Sequence, residues 1–238
     1  MIGSPRSGTT FLGATIGGLP GFVDLGEVQP LKAAMPELIG LDEAQAAPRI
    51  HRILQAQRLL ALVPGLRGVE QGPETGFVFP AALGAYPEGR AVHLLRDGRD
   101  VVCSLLERGW LRAGQARWRD QVEEGHQARF WVEPERRQEF ESATEATRAA
   151  WVWRRYVTAA HRPHERKVEI RYEDLTSEPG PVAAALADHL GAPREKLLSG
   201  LAAAHDRSIG RWRRDLTLEQ ISDVEREAGD LLAELGYL

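Results

Sequence analysis

Gly3-Ser4-Pro5-Arg6-Ser7-Gly8-Thr9-Thr10 follows the apolar pair Met1-Ile2 and precedes Phe11, Leu12, Thr15 and Ile16; no other stretch restricts the fold as tightly. Two glycines at this spacing, then threonines, mark a loop that carries a strand into a helix. Such a turn aims several backbone N–H groups at one point, and the helix adds roughly half a positive charge there. The loop reads as an anion cradle, against the plainer alternative of a turn with a helix cap. Nucleotide triphosphatase loops place a lysine directly after the second glycine and then a hydroxyl for magnesium. Here Thr9 stands at the lysine position and the cation lies inside the loop, at Arg6. A guanidinium forks two donors onto a tetrahedral oxyanion, and no metal-binding partner accompanies it.

The rest of the chain alternates strands with helices, which predicts an α/β fold with a mostly parallel sheet flanked by helices. Phe22-Val23-Asp24-Leu25 reads as a short strand ending at Gly26-Glu27, and residues 31–62 as helical with breaks near Pro36 and Pro48. Ala91-Val92-His93-Leu94-Leu95 is a continuous apolar run, as in a parallel strand covered on both faces. Val168–Tyr172 alternates like a strand, Pro181 and Gly191 bracket a helix, and Thr217 with Gln220 forms a capping box. The last helix presents Ile221, Val224, Ala228, Leu231 and Leu235 as its buried stripe. The charged stretch from Trp110 to Arg148, with Trp118, Phe130 and Trp131, reads as helical and peripheral, a lid or a solvated face. At 238 residues the whole is expected to be one domain, 1–238, with 110–148 as an insert.

A second cationic segment follows the apolar strand. Arg96-Asp97-Gly98-Arg99-Asp100 leads into a helix on which Ser104 and Arg108 share a face. Arg96 stands at the strand's carboxyl end, where open α/β sheets bind ligands. Val101, Leu105 and Leu106 are expected in the core. The bland alternative pairs Arg96 and Arg99 with Asp97 and Asp100 as surface ions.

Taken together, these segments resemble the sulfotransferase family that uses 3′-phosphoadenosine 5′-phosphosulfate (PAPS), in its bacterial, tyrosylprotein-sulfotransferase-like branch. The resemblance assigns Arg6, Ser7, Gly8, Thr9 and Thr10 to the 5′-phosphosulfate. It assigns Arg96, and Ser104 eight positions on, to the 3′-phosphate, and Arg108 matches an arginine of the tyrosylprotein branch. Arg171-Tyr172-Glu173-Asp174-Leu175 is similar to the segment whose tyrosine lies against the nucleotide. Ser208-Ile209-Gly210-Arg211-Trp212-Arg213 is similar to the C-terminal loop that closes over it, which brings in Ser208, Arg211 and Trp212. Glu27, twenty-one residues after Arg6, matches the glutamate that takes the acceptor's proton; Arg6 completes the catalytic pair. The product nucleotide would be adenosine 3′,5′-bisphosphate.

Two features depart from that pattern. Relatives carry lysine in a Glu-Lys-x-Pro segment, and this chain reads Glu70-Gln71-Gly72-Pro73. Only Met1-Ile2 precede the first loop, where the fold's central strand has four or five apolar residues, so a truncated start and a weakened sheet are expected.

A net charge of −4 excludes a generally basic, nucleic-acid-binding protein. One cysteine, Cys103, excludes an internal disulfide and reads as a small buried hydrophobe. No apolar run reaches the ~18–20 residues of a membrane span, and a cytoplasmic, bacterial protein is expected. No metal-ligand spacing appears among the seven histidines. The expected activity is sulfuryl transfer to an alcohol or phenol on a small molecule, glycan or tyrosine. A P-loop kinase-like protein and a non-catalytic nucleotide-binding module are the competing readings, and oligomeric state is left open.

Overall fold

The computed structural model describes residues 1–60, 65–112, 132 and 134–238. The elements run α1 (Thr9–Gly17), β1 (Phe22–Gly26), α2 (Gln29–Ile39), α3 (Glu43–Leu60), β2 (Arg67–Glu70), α4 (Thr75–Ala85), β3 (Ala91–Leu95) and α5 (Gly98–Arg108). After a 3₁₀ turn at Pro134–Arg136 come α6 (Arg137–Ser142), α7 (Glu145–His161), β4 (Lys167–Arg171), α8 (Asp174–Ser177), α9 (Pro179–Leu190), α10 (Arg194–Leu201), α11 (Trp212–Asp215) and α12 (Leu218–Glu234).

The strands pair in parallel as β1 with β2 and β3 with β4. Met1-Ile2 touches both pairs. Ile2 donates to the Val92 carbonyl at 2.9 Å and accepts from Leu94 N–H at 3.0 Å, while the Met1 amine donates to the Glu70 carbonyl at 2.6 Å. Two residues therefore bridge the strand pairs and lead directly into the glycine loop. An apolar cavity of ≈ 430 Å³ beside this bridge is lined by Ile2, Phe22, Val69, Phe79 and Leu83, and by none of the proposed ligand side chains.

All five residues of β3 are buried, and their alternation sorts the helices into layers. Val92 and Leu94 pack with α1, α9 and α10, whereas Leu95 belongs to the cluster of α5, α7 and α12. A third cluster joins α2, α3 and α4. The mixed α/β architecture with small parallel sheets agrees with the sequence reading.

Several local expectations change. Pro36 and Pro48 lie inside α2 and α3, and the break falls at Gly40, whose backbone caps α2. Helix α9 begins at Pro179, with Gly191 ending it in the left-handed conformation. On α12 the capping box is present, but Leu232 is fully buried while Ile221 and Leu231 are only partly so. Cys103 is 4 % exposed, and burial, followed by nearby Asp100, pushes its thiol up to about 12, as an inert hydrophobe requires. Trp118, Phe130 and Trp131, and residues 61 and 62, lie outside the described residues.

Behind β3, His93 and His161 each point Nδ1 at Glu169, at 2.8 and 2.7 Å. Three ligand-type atoms thus meet within 4.8 Å, from elements that sequence spacing does not connect. His93 Nε2 is buried and meets no partner among the described residues. The two contacts to Glu169 make the trio a hydrogen-bonded bracket between β3, β4 and α7. Burial pushes Glu169 up, but hydrogen bonds and charge from the two histidines outweigh it and hold the carboxyl at about 2. A depressed carboxylate gives stability that is present above its unfolded value, near 4.5, and is lost as pH falls toward 2. Glu169→Gln is expected to remove about 2–3 kcal/mol of that acid-sensitive stability, read as a flatter Tm-versus-pH curve below pH 4.5.

Candidate active site

The glycine loop sits where the Met1-Ile2 bridge ends and α1 begins, against the carboxyl end of β3. A Cβ on Gly3 would stand 2.6 Å from the Leu94 carbonyl oxygen, and one on Gly8 would stand 2.8 Å from the Tyr172 ring. Both glycines also have positive φ, 149° and 94°, so larger residues are excluded by contact and by conformation. Arg6 is the one non-glycine residue among those described with positive φ, 70°. An arginine held there carries backbone strain of order 1–3 kcal/mol, which the surrounding contacts must offset.

Those contacts are with the second cationic segment. Arg6 Nε donates to Ser104 Oγ at 2.9 Å, and the Arg6 carbonyl accepts from Arg96 Nη1 at 2.9 Å. Arg96 Nη2 donates to the Ser208 carbonyl at 2.7 Å, and its guanidinium lies 4.2 Å over the Tyr172 ring. The Tyr172 hydroxyl is 3.1 Å from Ser208 Oγ. Loop, β3 end, α5, β4 end and C-terminal loop therefore converge on one place, as the sequence placed them.

Burial first, and then the charges of Arg108 and Arg96, lower the pKa of Arg6, with Glu107 opposing. Among the described residues Arg96 and Arg108 thus both act on Arg6, with Glu107 as the opposing charge, an arrangement that suits an anion. Donor capacity is also left over: Ser7 Oγ and Arg96 Nε are buried and meet no partner among the described residues. Thr9 is buried at the start of α1, whereas Thr10 is exposed. A cationic cluster with unpaired buried donors fits an anionic, phosphate-bearing ligand.

The alternative of surface ion pairs does not hold: the one such pair that forms, Arg99 with Asp97, is buried. Arg99 pairs with Asp97 at 2.8 Å, but Asp100 is fully buried and accepts from Gly210 N–H at 2.7 Å and Trp212 N–H at 3.0 Å. Burial raises the Asp100 pKa, and those two N–H bonds oppose the rise. This latch holds the C-terminal loop against α5 and was not foreseen. Arg211 is turned to Glu107 at 3.1 Å and Asp215 at 2.6 Å. Trp212 packs under Arg99 at 4.0 Å. Neither side chain joins the Arg6–Arg96 cluster in this structure. Arg108 is exposed, 5.9 Å from the Trp110 ring, which Arg6 also approaches at 5.6 Å.

Glu27 follows β1, as expected, with its side chain 42 % exposed. Its carboxylate meets Lys32 at 3.3 Å. Gln71 donates to Asp24 at 2.9 and 3.2 Å, so its amide serves β1. Lys32 was missed by sequence reading, although it lies one helical turn into α2 behind Glu27.

The fold just described is that of sulfotransferase domains. One from the curacin biosynthetic pathway superposes with TM-score 0.61 at 16 % identity, covering 97 % of this chain and 95 % of that one. One from the Synechococcus PCC 7002 olefin synthase gives 0.52 at 18 % identity, with 95 % and 92 % covered. The sulfotransferase family model matches residues 66–196, more than half of the chain, and the chain belongs to that family. The match includes Arg96, Ser104, Arg108 and Tyr172 and leaves out the first loop, Glu27 and the segment from Ser208 to Trp212. No curated protein matches the chain.

Proposed function

We propose that this protein moves the sulfuryl group of PAPS to the hydroxyl of an alcohol or phenol. The observation that supports this most is the convergence of Arg6, Arg96 and Ser104, with Arg108 near, beside Ser7 Oγ and Arg96 Nε, buried donors without partners among the described residues. PAPS, when bound, supplies the activated sulfuryl group. Arg6 and the loop N–H groups stabilise negative charge on the phosphosulfate side, and Arg96 with Ser104 holds the 3′-phosphate. Ser208 and Tyr172 sit beside that pocket. Glu27 is the general base, which accepts the proton of the acceptor hydroxyl. Small-molecule, glycan and tyrosine hydroxyls are the acceptors it would serve, in a cytoplasmic setting. Among the described residues no helix is long and apolar enough to cross a membrane.

The test is a thermal shift with adenosine 3′,5′-bisphosphate, against AMP and against ATP with magnesium. At about 100 times its Kd the bisphosphate adds roughly 2.7 kcal/mol of stability, expected here without any metal. Stabilisation by magnesium ATP alone would replace this reading with a kinase-like one.

A further inference from the structure

Asp100 is fully buried in the first turn of α5, yet the hydrogen bonds described for its side chain all leave that helix. Asp97 is the helix cap, accepting from Arg99 N–H at 2.9 Å. Asp100 Oδ2 accepts from Gly210 N–H at 2.7 Å and Oδ1 from Trp212 N–H at 3.0 Å, both in the C-terminal loop. One N–H donor on each oxygen suits an ionised carboxylate, which can only accept. Gly210 has φ 67°, a turn that brings the N–H groups of residues 210 and 212 to one side chain. Earlier in the same loop, the Ser208 carbonyl accepts from Arg96 Nη2 at 2.7 Å, and Ser208 Oγ lies 3.1 Å from the Tyr172 hydroxyl. Asp100 and Ser104 are four apart on α5, so one helix face carries both the latch and the hydroxyl that accepts from Arg6.

We propose that Asp100 is a positioning residue for the nucleotide: by fixing the C-terminal loop it keeps the Ser208 carbonyl on Arg96, and so strengthens the hold on a 3′-phosphate that it does not touch. This inference rests on the reading of Arg96 and Ser104 as the 3′-phosphate site. Arg96 gives Nη1 to the Arg6 carbonyl and Nη2 to the Ser208 carbonyl, while Nε is buried and meets no partner among the described residues. A guanidinium is planar, so two fixed carbonyls also fix the direction of its remaining donor. Without the latch the Ser208 carbonyl is no longer held, and Arg96 gains rotamers that binding must freeze out. Charge alone would act the other way. Asp100 and Arg96 are close enough for their charges to interact, so neutralising the carboxylate would by itself tighten the hold on a phosphate. Weaker binding after neutralisation is therefore a signature of position.

The test compares the Kd of adenosine 3′,5′-bisphosphate with that of AMP, which lacks the 3′-phosphate, in wild type, Asp100→Asn and Gly210→Ala. Asparagine keeps the size of the side chain but turns one acceptor into a donor, so at most one of the two bonds survives. Gly210→Ala loosens the loop from its own side with no change of charge: a Cβ there is strained by the positive φ and would stand 2.9 Å from Arg213 Nη1. In both variants the bisphosphate Kd is expected to rise about tenfold, with the AMP Kd within about twofold of wild type. Should Asp100→Asn not fold, Gly210→Ala, altered only in the loop, decides the matter. An aspartate that merely supports the fold would lower Tm and leave the ratio of the two Kd values as in wild type. That result, or tighter bisphosphate binding in Asp100→Asn, overturns the proposal. A wild-type protein that binds the bisphosphate no better than AMP would instead overturn the 3′-phosphate reading beneath it.

Discussion

Alanine in place of Arg96 is expected to raise the Kd for adenosine 3′,5′-bisphosphate by about 100-fold. Arg96 is 5 % exposed, so a phosphate it holds is shielded from water and from screening salt. Charge-assisted hydrogen bonds in such a place contribute about 1.5–3 kcal/mol, and each 1.4 kcal/mol is tenfold in affinity. The loss has a second part. Arg96 ties the Arg6 carbonyl to the Ser208 carbonyl, so alanine also frees the loop and the C-terminal segment from each other. Calorimetric titration measures the affinity, and a melting curve without ligand separates the structural part. Arg96→Lys keeps the charge but loses the fork, and should fall between wild type and alanine. Unchanged binding in Arg96→Ala would remove this arginine from the nucleotide site.

The second large effect is on rate. Glu27→Gln is expected to lower turnover by about 10²–10³-fold, within the range of general-base contributions. The nucleotide Kd should stay within about twofold of wild type, since the described side-chain contact of Glu27 is with Lys32 and not with the arginine cluster. The amide keeps the shape of the side chain and can still accept a hydrogen bond from Lys32, but it loses the negative charge and the ability to take a proton. Rate and binding measured on one preparation distinguish this from misfolding. A variant that binds nucleotide normally and turns over at the wild-type rate would refute the assignment.

What the sequence made legible was short-range. The first loop, the strand Ala91–Leu95 and the helix behind Arg96 are contiguous segments whose residue order dictates their geometry, and each forms where expected. The Arg6–Ser104 hydrogen bond was not among those expectations: it joins two segments that the sequence reading assigned to separate anion sites. Strand β2 was invisible: Arg67-Gly68-Val69-Glu70 has one buried apolar residue and no alternation. Helix α7 starts at the end of the charged stretch read as helical and peripheral but runs on to His161 as a core element: Trp153 is fully buried against Gly98 and donates to the Arg96 carbonyl at 3.0 Å. Long-range polar contacts were out of reach for the same reason. The Asp100 latch on Gly210 and Trp212, and the sharing of Lys32 between Glu27 and Glu74, depend on how helices dock, which local periodicity does not encode.

The bridge formed by Met1-Ile2 has a consequence for how binding is communicated. The Leu94 amide proton is held by the Ile2 carbonyl, one residue from the glycine loop. For that proton to exchange with solvent the bridge must lift, and lifting it displaces the loop. An anion seated in the loop therefore opposes the opening by its own binding free energy, RT ln(1 + [L]/Kd). The deuterium uptake of one amide in the middle of the sheet would act as a gauge of occupancy at its edge. Slowing should be greatest at Leu94 and weak at amides of α9, which packs on β4.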